Sequence, residues 1–476
     1  PGTTPAHHPR HPLLVAPLAP VRKFLPQRAS PAMPRTRRLT AAATAVAALS
    51  VLATACTGQS GTAASDDPDK EVTLNFWHGW SAPSEAKAIE ENIARFEKAH
   101  PNIKVKVTGN MTDDKINQAL RAGGDKAPDV VSSFTTDSVG KFCNSGAFAD
   151  LNPFLGKSGI DKAKVFPKTL LEYTQFNGNQ CTLPLLNDAY GLVYNKDAFK
   201  AAGITEPPKT WSQFAEVAQK LTKPSGDSYD QLGIMPTYHG YETTPVRLAA
   251  QWSPKYFDAD GKSNLAKDPA FANMLTAQKD LVAKLGGYEK LEKFRSTFGD
   301  EWSAEHPFHK GQVAMQIDGE WRAAMAKEAG VTFEIGTAPL PVPDDQLADY
   351  GKGYLSGTIM GIASGSKKQN ASWELVKYMT TDTQAVVAFA NAIHNVPSTL
   401  AALESPDLQV TPEFKTFIDI ARHPKSNTTP AQADGGTYQL TFQDLAYAVE
   451  KGDVADVPAG LAKTGQQIDT DIAKAK

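Results

Sequence analysis

The residues of this chain best suited to chemistry lie in Phe308–Met325, FHKGQVAMQIDGEWRAAM. Val313–Ile317 reads as an apolar strand, and Asp318-Gly319-Glu320 as a tight turn behind it. Trp321 then opens a helix that continues through Ala323, Ala324 and Met325. An indole delivered to the mouth of a cleft can lie flat against a small ring-shaped ligand. The same pattern also fits a tryptophan buried in a core. Two neighbours favour the cleft, because Gly319 permits close approach and Glu320 is polar.

Covalent chemistry has weaker support. Ser138-Val139-Gly140-Lys141 and Ser364-Gly365-Ser366-Lys367 fit S-x-x-K, and Lys463-Thr464-Gly465 spells KTG, the parts of a penicillin-binding or β-lactamase-like serine enzyme. The SDN element is missing between them, and the KTG falls in a stretch that reads as helix where that chemistry needs a strand. A glycoside hydrolase needs two placed carboxylates, and no pair stands out among the many Asp and Glu. The sequence holds no HExxH, no P-loop and no G-x-S-x-G. Asp258-Ala259-Asp260-Gly261, inside Phe257–Lys262, resembles a calcium loop, but its glycine is misplaced and the closing glutamate is missing, so it reads as a turn. No catalytic residue, no metal site and no cofactor are expected.

Elements must position Trp321, and composition bounds them. The chain has 476 residues, 41% hydrophobic and 21% charged, which fits two to four globular domains. Lys+Arg 49 against Asp+Glu 52 leaves a net charge of −3, and no basic stripe suggests nucleic acid. Residues 1–32, rich in Pro, His and Arg, read as disordered or as upstream of the true start at Met33. Residues 33–55 combine a basic start (Arg35, Arg37, Arg38) with an apolar run, Leu39–Ala53, too short for a membrane span. With Cys56 directly after small residues, this resembles a bacterial lipoprotein signal whose cysteine is lipidated, although Ala53 stands where leucine is usual. An ordinary secretory signal is the alternative. Residues 56–70 read as a flexible tether. In an exported chain the remaining pair, Cys143 and Cys181, reads as a disulfide closing a loop of 38 residues, worth roughly 3–4 kcal/mol, with two free buried thiols as the alternative. Neither lies in a CxxC or at zinc spacing.

Strands and helices then alternate: Val72–Trp77, Ser84–His100, Ile103–Val107, Asp113–Ala122, then Pro128–Val131. This implies a parallel α/β sheet with helices on both faces, and ligands beyond its C-terminal strand ends, near Trp80 and the loop Phe134–Asp137. Leu183–Asn195 is a long extended run able to pass between two sheets. Thr210 suits the N-cap of a Trp211–Leu221 helix. Phe333–Pro343 and Tyr354–Ala363 read as extended, and Pro269–Leu285, Ala371–Thr380, Phe442–Glu450 and Pro458–Lys474 as helices.

Several of these stretches together resemble one family. They are NFWHGW, FEKAHPNIKV, APDVVSSFTTDSVGKFCNSGAFADL, LPLLNDAYGLVYNKDAF, PPKTWSQF, FHKGQVAMQIDGEW with IGTAPLP, GKGYLSGTIMGIASGSKKQNASWELVKYM and NVPS. In this order, from about Glu71 to the C-terminus, they are similar to the extracellular solute-binding proteins of sugar ABC importers, the maltose-binding-protein-like group. The resemblance implies a two-lobed α/β fold, each lobe a sheet flanked by helices. Lobe one would hold 71–186 and 358–426, lobe two 191–352 and 431–476, with hinges near 187–190, 353–357 and 427–430. It places an aromatic platform for a sugar ring at Trp321 and a carboxylate for sugar hydroxyls at Asp188. It places Asp137 near a second such acid, in a loop about one residue different in length. Weaker matches are Trp80, His239, Tyr241, Gly353 and Tyr438. The implied protein is a monomeric binding protein, lipid-anchored to the outer face of the bacterial cytoplasmic membrane, that passes sugar or oligosaccharide to permease subunits. Within the family, the FWH start and Gly353-Tyr354-Leu355-Ser356 also resemble the branch that takes glycerol 3-phosphate and its diesters. Such a ligand would want Arg247 or Arg322, whereas Asp188 favours a neutral sugar.

Overall fold

The computed structural model describes residues 70–475 apart from Ala82, Asp125 and His239. The expected signal, Cys56 and the tether up to residue 69 lie outside them, as does His239. Ten strands follow in chain order: β1 Val72–Trp77, β2 Ile103–Thr108, β3 Val130–Ser133, β4 Leu183–Asn195, β5 Lys223–Ser225, β6 Ser228–Ile234, β7 Val313–Gly319, β8 Ile335–Ala338, β9 Leu355–Ile362 and β10 Val396–Pro397. They join in the order β2-β1-β3-β9-β4-β7-β6-β5, with β8 and β10 also paired to β4.

β4 is the pivot. Its first half, through Ala189, pairs with β9 and β10, and its second half, from Tyr190, pairs with β7 and β8. One continuous strand therefore serves two sheets. Twelve of its thirteen positions are apolar, glycine or otherwise uncharged and most are buried, as a strand covered on both faces requires. The parallel expectation holds only in part. β1 runs parallel to β2 and β3, and β6 parallel to β7, but β9 is antiparallel to both β3 and β4. The reason is topological. The chain leaves the first sheet along β4 and comes back along β9 through the same junction, so the two must point opposite ways.

Helices cover the sheets where apolar stripes allow it. On the Pro83–Ala99 helix, Ala88, Ile89, Ile93 and Phe96 are all buried, and they pack with Leu74, Phe76, Met360 and Leu375 into one core. A second core runs through Phe214, Leu232, Phe271, Val313, Met315, Phe442 and Ile468. The Trp211–Leu221 helix begins where expected, with the Thr210 side chain accepting from the Gln213 N–H. The Pro412–Arg422 helix packs on β8 and on the second half of β4: Thr337 Oγ1 donates to the Glu413 carbonyl at 3.0 Å, and Phe417 and Ile420 press on Gly191. It thus lies with the second sheet, whereas the sequence reading put residues up to 426 with the first. Its amphipathic stripe shows that it buries a face but not which sheet receives it.

Cys143 and Cys181 are disulfide-bonded, with Cα atoms 5.4 Å apart, so the Val139–Asn144 helix is stapled to the segment entering β4. The Phe257–Lys262 turn closes as expected through a Phe257–Ser263 bridge. Its Asp258 accepts from the Asp260 and Lys262 N–H groups and from Lys267 Nζ, so its oxygens are engaged by protein donors. Lys463-Thr464-Gly465 lies inside the Val457–Ala475 helix, not on a strand.

Candidate ligand-binding site

Three chain segments meet between the sheets. The Tyr190 N–H of β4 donates to the Tyr354 carbonyl at 3.3 Å, the Asn427 N–H to the Gly353 carbonyl at 3.0 Å, and the Leu355 N–H to the Asn427 carbonyl at 2.9 Å. Around this junction Tyr190, Ala250 and Tyr354 form a small apolar cluster of their own, with half-buried Trp321 packed against it. Tyr190 meets the indole edge-on, with centroids 5.8 Å apart and planes at 88°. The Tyr354 ring centroid lies 5.8 Å from that of Tyr190.

Trp321 reaches this place as the short turn predicts. β7 ends at Gly319, and the Trp321–Glu328 helix starts two residues later. A side chain at Gly319 would fall in the space occupied by the six-membered ring of Trp321, so the glycine lets the indole lie back across the strand end. The close approach expected of Gly319 is thus made by Trp321 itself. The indole Nε1 has no hydrogen-bond partner within the described residues.

Glu320 fixes the turn. Its Oε2 accepts from the Ala189 N–H at 3.1 Å, and its Oε1 from Asn395 Nδ2 at 2.6 Å and from the Val396 N–H at 3.3 Å. One buried carboxylate thereby joins the β7 turn to β4 and β10. Asn395 Nδ2 also donates to Asp188 Oδ1 at 3.0 Å, so one carboxamide bridges two acids. Burial pushes Asp188 up to about 6, and the nearby Glu242 charge adds to this. Burial and the Asp188 charge hold Glu320 well above the usual carboxylate range.

A carboxyl with a higher pKa folded than unfolded makes its full stabilising contribution below its unfolded value and loses it as pH rises through its folded value. For Asp188 that window runs from about pH 4 to about pH 6. Asp188→Asn, which is never charged, should therefore match the parent in urea midpoint near pH 4 and exceed it progressively toward pH 7. Equal midpoints at both ends would show that Asp188 carries no such burden.

Charge surrounds the tyrosines. The Arg247 guanidinium sits 4.2 Å above the Tyr190 ring and pairs with Glu242. Glu301 lies near Glu242, and burial and that neighbouring charge push Glu301 up to about 8. Arg322, directly after Trp321, is fully buried; its Nε donates to Asp318 Oδ2 at 2.7 Å, and its Nη1 to the Glu301 carbonyl at 3.1 Å. Asp137, after β3, accepts from Gln439 Nε2 at 2.7 Å, and burial raises its pKa. Gln439 in turn reaches Thr429, which bonds the Tyr354 hydroxyl at 3.1 Å. Gly140 allows this approach, since any side chain there would collide with the backbone of Gln432.

The structure therefore gathers Trp321, Asp188 and Asp137 around the junction. Four other expected residues are engaged within the protein instead. Trp80 is buried edge-on against Phe134 and Phe389, so Phe134 is the exposed aromatic of that loop region. Tyr438 is core, its hydroxyl donating to the Pro430 carbonyl at 2.7 Å while its ring meets Tyr256 and Phe257. Gly353 is buried under Ile420, with its N–H donating to Ser426 Oγ at 3.0 Å. Tyr241 is half-buried and donates its hydroxyl to the Gly299 carbonyl, supporting a neighbouring loop. Tyr190, Glu320 and Asn395 are not singled out as site residues by the sequence reading. Tyr190 left a usable signal: it lies two residues after Asp188 on one strand, hence on the same face. Glu320 left only its polarity beside Trp321, and Asn395 left none, because their partners come from distant segments.

Residues 82–386 match the family described as bacterial extracellular solute-binding protein. The chain belongs to that family. Among relatives of this solute-binding protein, the maltotriose-binding protein of Pyrococcus abyssi is 22% identical over 401 residues, covering 83% of this chain and 81% of the relative. The diacetylchitobiose binding protein DasA of Streptomyces coelicolor is 27% identical over 372 residues, covering 75% and 81%. The mannotriose-bound structure of CpMnBP1 superposes with a TM-score of 0.71 at 24% identity, covering 85% of this chain and all of that one (100%). The likeness shows that the solute-binding protein has the two-lobed fold of such proteins, and the family name places it outside the cytoplasm.

Proposed function

We propose that this solute-binding protein captures a sugar or oligosaccharide between its two lobes and delivers it to the permease of an ABC importer. The carrying observation is the half-buried Trp321 indole set beside acids that meet on the crossover strand. A sugar ring offers apolar C–H faces to the indole and hydroxyl donors to carboxylates such as Asp188 and Asp137. Relatives that bind maltotriose, diacetylchitobiose and mannotriose support the same ligand class. Ligand touching both lobes favours the closed form by its differential affinity, and that form is what the permease reads. The protein acts as a monomer, held at the outer membrane face through Cys56.

Glycerol phosphate is the less favoured ligand, because Arg247 and Arg322 are both already paired with carboxylates. A hydrolase is disfavoured too: Lys463-Thr464-Gly465, the last part of the serine-enzyme pattern, lies inside a helix where that chemistry needs a strand. Calorimetry with maltotriose, mannotriose and glycerol 3-phosphate tests the reading. Saturable binding of a trisaccharide with no shorter products is expected. Heat from glycerol 3-phosphate alone, or release of shorter sugars, would refute it.

A further inference from the structure

Trp302 is 57% exposed, and Phe134 is the other aromatic ring among the large exposed hydrophobic side chains of the described residues. Exposing an indole forgoes burial of one of the largest apolar side chains, so its position calls for a reason. The Trp302 ring centroid is 6.1 Å from that of Trp321, with the planes inclined at 42°. The two rings are thus close neighbours, inclined to each other rather than stacked face to face.

The loop that carries Trp302 is built, not loose. The Trp302 N–H donates to Asp300 Oδ1 at 2.9 Å, Ser303 Oγ to the Asp300 carbonyl at 2.9 Å, and the Glu305 N–H to Ser303 Oγ at 3.1 Å. Arg322 holds it from behind through the Glu301 carbonyl, with its guanidinium carbon 5.8 Å from the Trp302 ring centroid. Arg322 is itself pinned by buried Asp318 and follows Trp321 on the same helix, so the two indoles are fixed to one frame.

Resting on the sugar reading above, we infer that Trp302 forms a second stacking position beside Trp321, and that the preferred ligand is an oligosaccharide of at least two rings. A single pyranose covers one indole face. The second indole is covered only when another ring follows the first. Trp302 thus sets the preference for length, while Trp321 is needed at any length.

The test is calorimetry of the parent, Trp302→Ala and Trp302→Phe with two series: glucose, maltose and maltotriose, and mannose, mannobiose and mannotriose. The parent should bind the trisaccharide of at least one series more tightly than its monosaccharide. Trp302→Ala should weaken trisaccharide binding about tenfold and leave monosaccharide binding unchanged, and Trp302→Phe should recover most of the loss. Circular dichroism should be unaltered, because the side chain is exposed. An equal loss at both lengths, or no loss at either, overturns the inference while the sugar reading stands. A parent that binds no member of either series overturns both.

Discussion

Replacing Trp321 by alanine should reduce ligand affinity on the order of a hundredfold while the domain still unfolds cooperatively. An indole face against a sugar ring removes roughly 100 Å² of apolar surface from water, worth about 2–3 kcal/mol at ~25 cal/mol per Å². The fold should lose less, since Trp321 is only half-buried and its cluster retains Tyr190, Ala250 and Tyr354. Paired calorimetry and urea denaturation separate the two effects. Trp321→Ala binding as tightly as the parent would remove the platform from the account, and a variant that no longer folds would place the indole among the core residues.

The second large effect is on stability. Asp318→Ala should cost about 3–5 kcal/mol, because it leaves the Arg322 charge fully buried without its partner. The pair spans the turn from β7 into the Trp321–Glu328 helix, four residues apart in sequence, with neither side chain exposed. Removing both charges with Asp318→Ala/Arg322→Met should be less damaging than the single change, since no lone charge remains and the methionine refills much of the space. Urea midpoints of the parent, single and double variants decide this. A single variant as stable as the parent, or a double variant worse than the single, would show that the ion pair is not what holds this turn. Because Arg322 also grips the Glu301 carbonyl, the single variant should loosen the Trp302 loop as well.

Much of the fold was readable locally. The unbroken run Leu183–Asn195 implied a strand serving two sheets, and β4 does so. Thr210, the stripe on the first helix and the even cysteine pair each left a short-range or compositional mark that the structure matches. The succession of motifs implied the family, and residues 82–386 match it. Exposure was not carried by the resemblance. Trp80, Tyr438 and Gly353 stand at positions that the resemblance assigns to ligand, yet here each is packed away. Type and position in sequence do not say how much of a side chain its neighbours cover.

The chain's own order of residues was enough to establish where strands and helices start, that an indole follows a glycine turn, and that an acid and a tyrosine share one face of a crossing strand. These depend on neighbours a few positions apart, whose geometry the backbone dictates. Only the folded arrangement decided that β9 enters between β3 and β4, that Asn395 bridges Asp188 and Glu320, and that Trp302 stands beside Trp321. The bridge joins residues 75 and 207 positions apart in sequence, which no periodicity records. It forms because closing the sheets brings those segments together, and burial then makes each buried carboxylate depend on the partners it finds there.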